Sequence, residues 1–181
     1  TPPLGGGDAV PDTGLTNADG RAGTRWILGT TAGAQRVQAM VVGATSSGAL
    51  TQNFDATALA AAADTVFAVR GNNQSGVIGG ALTDSLVVKV TDRFGNAVTG
   101  SAVSWAATGG GTVSPPANTT GTTGTAATAR VLGATAGPQG ATATAAGLKG
   151  SPVVFVMTAL PAAPASLVKA SGDNQVGPAG S

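Results

Sequence analysis

Aspartate supplies every acidic side chain in this sequence, and residue types able to do chemistry are few. The 181 residues contain eight acids, all of them Asp, and no His or Cys. Without His or Cys, the chain cannot form a Ser-His-Asp or Cys-His catalytic site, the usual N/S zinc site or a disulfide framework. Catalysis by carboxylates alone needs two acids held about 5–9.5 Å apart. Because the eight Asp fall in different predicted loops and strand ends, we expect no enzyme activity.

Calcium is the cofactor that this composition leaves open, because it needs only oxygen ligands. Asp8, Asp12 and Asp19 fall close together in one predicted loop, and Asp173 is followed by Asn174. Neither group has EF-hand or nonapeptide spacing, and Asp is also a common turn residue. We keep Asp8, Asp12 and Asp19 as calcium candidates and otherwise expect no metal and no cofactor.

The charge balance bears on which partners the chain can hold. A formal net charge of +1 gives no long-range field for a nucleic acid or an anionic membrane, so we expect neither as a partner.

The best candidate for a membrane span is Pro152–Lys169, but Pro161 and Pro164 interrupt it, and it is shorter than the ~20 apolar residues required. We expect no direct membrane span. The first residues also lack the basic start and apolar core of a signal peptide, so an exported protein would contain this chain as a mature or internal piece.

The chain repeats itself with a period of about 100 residues. Gly5–Gly43 aligns without a gap with Gly109–Gly147, a shift of about 104 residues. A second match, shifted by about 101 residues, places Phe54 over Phe155. The change in shift indicates a short loop insertion within Ala44–Leu50. In the second copy, residues without a carboxylate replace the calcium candidates: Thr112, Pro116 and Thr123.

One period has the size of a single β-sandwich domain. We therefore predict that residues 1–58 are the C-terminal half of one repeat, that residues 59–159 are a complete repeat, and that residues 160–181 begin a further repeat. Half a sandwich leaves an open sheet edge and an unburied apolar face. Residues 1–58 must accordingly be completed, either by a longer parent chain or by strands that another chain donates.

Strand patterns dominate the complete repeat, and no helical periodicity is sustained. Asp84–Asp92, Ser101–Thr108 and Ser151–Ala159 alternate as strands with one apolar face. Asp64–Arg70 and Ser75–Leu82 predict a strand that breaks at a Gly-rich step, where it could cross to the other sheet. Seven or so short strands favour an all-β fold, an antiparallel β-sandwich. The residues predicted to share its core are Leu86, Val88, Val90, Val103, Trp105, Phe155 and Met157.

Arg130 does not fit this simple pattern. In the first copy, Ala22, Thr24, Trp26 and Leu28 share one strand face that should point inward. The second copy has Arg130 where the first has Trp26. Either Arg130 lies near the end of its sheet and extends its charged group outward, or the first copy packs differently. We favour the outward orientation, because long basic side chains commonly bury only their stems.

Two motifs at linked spacing carry a family resemblance. The first, D-x-x-G-N-x-V, consists of Asp92, Gly95, Asn96 and Val98. The second, G-x-A…W-x-L-G-T-x-x-G, consists of Gly20, Ala22, Trp26, Leu28, Gly29, Thr30 and Gly33, and it recurs in part in the second copy. Over nearly its whole length the chain resembles the bacterial Ig-like domains of group 1, the repeats of invasin- and intimin-type adhesins. The second copy departs from the pattern at Arg130 and at its turn, which lacks an acid.

The resemblance implies an exported, tandem, rod-forming Ig-like protein and carries over no catalytic residue. We expect a structural spacer in a bacterial adhesin-type protein, located extracellularly, at the cell surface or on the periplasmic face of the envelope. Expected partners are the neighbouring Ig-like repeats and other envelope or surface proteins. The alternative is an accessory subunit of a larger envelope or membrane-associated assembly, bound through its sheet edges. A carbohydrate-binding module of a secreted enzyme is disfavoured, because strand faces claim most of the few aromatic residues.

Overall fold

A computed structural model describes residues 6–42 and 50–180, and its regular elements are β-strands. These described ranges hold no helix with the length and apolar character that a membrane crossing needs. The predicted insertion in Ala44–Leu50 lies outside the described residues, except for Leu50. The strands are β1 (Gly7–Val10), β2 (Arg25–Leu28), β3 (Gly33–Val41), β4 (Leu50–Ala58), β5 (Ala63–Arg70), β6 (Gln74–Val77), β7 (Leu86–Asp92), β8 (Ala102–Thr108), β9 (Thr112–Ser114), β10 (Ala117–Thr119), β11 (Thr125–Val131), β12 (Gly137–Thr144) and β13 (Val153–Leu160).

Strands β5 to β13 form two sheets with an apolar layer between them. The five-stranded sheet has the order β10-β8-β12-β13-β6, and the four-stranded sheet has the order β5-β7-β11-β9. Strand β6 pairs parallel with β13, and the other pairings are antiparallel. The chain crosses between sheets from β5 to β6, at the Gly-rich step where the sequence predicted a break. The predicted all-β, Ig-like sandwich is confirmed, with one parallel pair added.

The core of the sandwich lies between β7 and β11 on one side and β8, β12 and β13 on the other. Trp105 and Phe155 stand at its centre, with ring centroids 6.1 Å apart. The indole Nε1 of Trp105 donates to Asn118 Oδ1 at 3.0 Å, which satisfies the polar end of a buried ring. The seven residues assigned to the core from the sequence are all buried in this one cluster: Leu86, Val88, Val90, Val103, Trp105, Phe155 and Met157.

Arg130 is the main correction to the sequence prediction, because its side chain is 0% exposed. The loop Gly109–Gly111 passes directly over the guanidinium, so close that a Cβ on Gly111 would lie 2.5 Å from Nη1. Loop and strand oxygens then replace water as acceptors, and burial lowers the pKa of Arg130. These acceptors are the carbonyls of Thr108, Gly110, Thr112 and Val131 and the side chain of Gln139. The predicted outward orientation is wrong because the loop supplies a polar cover that the strand pattern does not reveal.

The strands of the first copy form two small sheets. Strand β1 pairs with β2, and β3 pairs with β4, each in a two-stranded antiparallel sheet. The face predicted to point inward is mostly open: Ala22 and Thr24 are exposed, Leu28 is 39% exposed and Trp26 is half-buried. Within the described residues, no second sheet covers this face, so alternation alone does not bury it.

Residues 161–180, after β13, contain no strand. They nevertheless keep one local feature of the complete repeat. Asn73 and Asn174 have φ values of 59° and 51°, and each backbone N–H bonds the side-chain oxygen of the residue before it, Asn72 or Asp173. The same turn therefore forms at equivalent positions in both segments.

Candidate functional site

The turn Asp92–Asn96, which follows β7, is built around a buried carboxylate. Asp92 is 2% exposed. Its Oδ1 accepts the backbone N–H groups of Phe94 and Asn96, each at 2.9 Å. Its Oδ2 accepts the backbone N–H of Ala61 and the side-chain amide of Asn96, each at 2.8 Å. Gly95 completes the turn with a φ of 86°, which glycine adopts at little cost.

The electrostatics of Asp92 follow from these donors. Burial alone would raise the pKa of a carboxyl group. Here burial is outweighed by hydrogen bonds from the side chain of Asn96 and from the backbones of Ala61, Asn96 and Phe94, which together lower the pKa of Asp92 to about 2. The carboxylate is therefore charged at neutral pH, and its charge holds the turn to the linker that precedes β5.

Asn96 connects this turn to the first copy of the repeat. Its Oδ1 accepts the backbone N–H of Ala32 at 2.9 Å. Its Nδ2 donates to Thr30 O and to Asp92 Oδ2, each at 2.8 Å. Both N–H bonds of the carboxamide are thus used, and the group faces one N–H and one C=O of the neighbouring copy. We call this contact the junction.

The turn that receives Asn96 is shaped by one buried side chain. Gln35 is 2% exposed. Its Oε1 accepts Gly29 N–H at 2.8 Å, and its Nε2 donates to Gly29 O at 3.3 Å and to Thr31 O at 2.8 Å. Gly33 closes the turn with a φ of 126°. The turn is therefore formed within its own copy, and Asn96 binds a preshaped surface.

The second copy builds the same turn with the same groups. Gln139 accepts Gly133 N–H at 2.8 Å and donates to Gly133 O at 3.3 Å and to Thr135 O at 2.8 Å. Gly137 has a φ of 124°, against 126° at Gly33. The backbone geometry and the internal hydrogen bonds thus repeat in both copies.

The calcium candidates lie apart from the junction. Asp8 is on β1, Asp12 and Asp19 lie in the loop between β1 and β2, and all three are exposed. The backbone N–H of Asp19 bonds the side chain of Asn17, an ordinary turn contact. Across the described residues, no three His, Cys, Asp or Glu side chains form a group that could hold a metal ion. The structure thus does not bring the three carboxylates into one such group.

The sequence motif contains Asn96 but predicts no contact for it, and neither motif contains Gln35. The signal was present in the repeat alignment, because Gln35 and Gln139 are equivalent polar residues at the start of otherwise divergent strands. A buried polar residue retained in both copies indicates a shared structural role.

No protein-family model matches the sequence, and no curated protein matches it. Solved structures do. The D0-D1 domain of intimin is 21% identical with a TM-score of 0.38, over 85% of this chain and 74% of that one. FdeC, an Escherichia coli adhesin, is 20% identical with a TM-score of 0.49, over 88% of this chain and 52% of that one. Invasin, a bacterial integrin-binding protein, is 21% identical with a TM-score of 0.42, over 89% of this chain and 31% of that one. The chain thus spans about half of the FdeC structure and less than a third of the invasin structure.

Proposed function

We propose that this chain is a non-catalytic spacer segment of a bacterial exported or cell-surface protein built from tandem Ig-like repeats. In this proposal, residues 1–58 are the C-terminal half of one repeat, residues 59–159 are a complete repeat, and residues 160–181 begin another. The observation that carries the proposal is the junction, where a side chain of the complete repeat binds a turn of the preceding copy. The partners are then the neighbouring repeats of the same chain.

The linker supports a spacer role. Only residues 59–62 separate β4 from β5. Within that linker, the backbone N–H of Ala61 is held by Asp92, and Asn96 on the same turn holds the preceding copy. A short linker fixed at both sides resists bending between repeats, which is what a projecting stalk requires. In repeat arrays of this kind, each unit contacts mainly its neighbours.

The chemistry of the buried polar groups supports a role without catalysis. Asp92, the one buried acid among the described residues, has both oxygens engaged in structural hydrogen bonds. Arg130, buried in the sandwich, is held by backbone carbonyls of the loop above it. In both cases these hydrogen bonds hold backbone groups in place. The proposed extracellular or envelope location is supported by the sequence motifs, which resemble those of invasin- and intimin-type repeats.

A second candidate function has one observation in its favour. The sheet formed by β3 and β4 has two strands, so backbone groups along both outer edges have no strand partner in the described residues. Phe54 on β4 is 55% exposed. Strands from a separate envelope protein could add to these edges by β-augmentation. The chain would then be an accessory subunit of a larger assembly.

The mass and the cellular location of the native polypeptide distinguish the spacer from the accessory subunit. We expect peptide mapping and intact-mass measurement of the protein from envelope fractions to give a mass far above 17.1 kDa, with further Ig-like repeats on the same chain. Antibodies raised against residues 59–159 should label intact cells. A polypeptide of 17.1 kDa that co-purifies with an envelope partner would support the accessory subunit instead. A cytoplasmic protein of that size would contradict both.

A further inference from the structure

The two equivalent turns differ in what covers them. In the first copy, the half-buried Ala32 N–H and the carbonyl of Thr30 bind Asn96. In the second copy, the corresponding groups are Ala136 N–H and Ala134 C=O. Both residues are exposed, and neither group forms a hydrogen bond within the described residues. The same preshaped turn is therefore filled in one copy and open in the other.

We propose that the turn Gly133–Gly137 is a docking site for the carboxamide of an Asn side chain, presented by an Asp-x-x-Gly-Asn turn of the Ig-like repeat that follows. The inference rests on the proposed function, because it requires a following repeat. The junction then becomes a recurring connector, in which each repeat binds the turn of the one before it.

The chemistry of the open turn selects a carboxamide. The backbone N–H of Ala136 is a hydrogen-bond donor and the backbone carbonyl of Ala134 is an acceptor. A side chain that binds both must therefore carry one acceptor and one donor side by side. Asn provides this pair in one planar group, whereas a carboxylate at neutral pH has no donor and an ammonium has no acceptor. At the junction, Asn96 uses that arrangement on the first turn, at 2.9 Å and 2.8 Å.

In both copies, the strand that leads out of the copy ends beside the turn. Gly33 pairs with Ala58 in the first copy, and Gly137 pairs with Ala159 in the second. The connection to the next repeat therefore leaves from the same position beside each turn. The turn around Asn174 repeats the one around Asn73, so the segment after β13 carries local structure of a repeat that begins there.

The first test uses the chain as it exists. Gly29–Gly33 and Gly133–Gly137 differ in sequence only at Thr30, where the second turn has Ala134. Thr30→Ala therefore gives the first turn the sequence of the second. We expect the Ala32 amide, measured by NMR hydrogen exchange, to keep its rate within about twofold, because only the backbone of residue 30 binds Asn96.

Asn96→Asp calibrates that measurement. It replaces the amide donor with a charge that faces Thr30 O and the Asp92 carboxylate, and the repulsion moves the side chain away from Ala32. We expect the Ala32 amide to lose its acceptor and to exchange about five- to tenfold faster, the effect of losing one ordinary hydrogen bond. Asn53→Asp, the same charge change at an exposed site on β4, should leave the rate unchanged. If Thr30→Ala releases Ala32 as much as Asn96→Asp does, the second turn cannot accept an Asn in this way and the proposal is overturned.

The second test builds the missing contact. In an extended chain, residue 160 is followed by a second copy of residues 60–159. We expect the Ala136 amide to exchange about five- to tenfold more slowly than in the original chain. Asn96→Asp in the added copy alone should restore the fast rate and leave Ala32 protected. An unchanged Ala136 rate beside a folded added copy overturns the proposal; if that copy does not fold, the Thr30→Ala result decides.

These outcomes are independent of where the native protein resides. Failure at Ala136 in a long surface polypeptide overturns the docking site and leaves the spacer function in place. A short cytoplasmic polypeptide overturns the spacer function even if Ala136 is protected in the extended chain.

Discussion

Phe54 and Phe155 occupy equivalent positions in the two copies of the repeat, yet their surroundings are opposite. Phe155 is 0% exposed, whereas Phe54 is 55% exposed. Both lie on strands whose antiparallel partners are equivalent, since β4 pairs with β3 as β13 pairs with β12. What differs is the opposing sheet: β7 and β11 pack across from β13, whereas within the described residues no second sheet packs across from β4. Strand pairing is therefore set within the hairpin, and burial is set by the opposing sheet.

The turns Gly29–Gly33 and Gly133–Gly137, in contrast to the two phenylalanines, have the same surroundings within their own copies. Gln35 and Gln139 make the same three hydrogen bonds with the same lengths, although Gln35 lies on the two-stranded sheet of β3 and β4 and Gln139 lies in the two-sheet sandwich. A buried Gln within six residues of its partners needs no distant strand. Local hydrogen bonding thus gives both copies the same turn, while the apolar core depends on both sheets of the sandwich.

The largest expected effect concerns the two phenylalanines. Phe155→Ala should lower the free energy of unfolding of the complete repeat by about 3–5 kcal/mol, because it leaves a cavity beside Trp105. Phe54→Ala, the matched change in the open copy, should cost less than about 1 kcal/mol, as at an exposed site. Urea unfolding followed by circular dichroism measures both. Equal losses would mean that the face of β3 and β4 is covered in solution.

Arg130 gives the next effect. Arg130→Met keeps most of the apolar stem but removes the guanidinium that donates to the carbonyls of Thr108 and Gly110. We expect a loss of about 2–3 kcal/mol, in the range for hydrogen bonds made by a charged group. Arg36→Met, which removes an exposed arginine paired with Asp55, is the control and should have a smaller effect. If the two variants unfold at the same urea concentration, the loop carbonyls do not depend on Arg130.

These features explain which parts of the structure the sequence could predict. Alternation and the repeat period identify the strands of residues 59–159 and the core around Trp105. This is possible because the apolar face of a strand is set by residues that are close together in the sequence. The sequence predicts the wrong orientation for the side chain of Arg130, since acceptors for its guanidinium come from a glycine loop about twenty residues away in sequence. The junction was missed for the same reason: Asn96 and Ala32 are 64 residues apart. A motif shows that Asn96 matters locally, but only the folded chain shows what it binds.

The two glutamines sharpen the comparison of the turns. Gln139→Leu should lower the free energy of unfolding of the complete repeat by about 1–2 kcal/mol, because Gln139 also accepts a hydrogen bond from Arg130 at 3.2 Å. Gln35→Leu should leave that unfolding transition in place and instead speed exchange of the Ala32 amide. Combining urea unfolding with NMR exchange separates the two. A large loss of domain stability from Gln35→Leu would show that the two copies unfold as one unit.

The smallest effect is a dependence on pH that begins at Asp92. Its pKa in the folded chain is about 2, below the value of about 4 for an unfolded Asp. The carboxylate therefore contributes its full stabilisation above about pH 4, and that contribution is lost as the pH falls through about 2. In the original chain, the urea midpoint should fall across this window. In Asp92→Asn, the fall should be smaller, because the titrating group is gone.

Asp84→Asn is the matched control for this measurement, because Asp84 is exposed and its carboxylate forms no hydrogen bond within the described residues. Its midpoint should fall with pH as much as that of the original chain. The junction adds a second readout, since protonated Asp92 loses its hold on the amide of Asn96. Exchange at Ala32 should then accelerate in the same pH window, after correction for the intrinsic pH dependence of exchange, while exchange in the β12–β13 ladder should not. If Asp92→Asn and the original chain lose stability in parallel, the charge of Asp92 is not what fixes the turn, and Asn96 must be held by its backbone contacts alone.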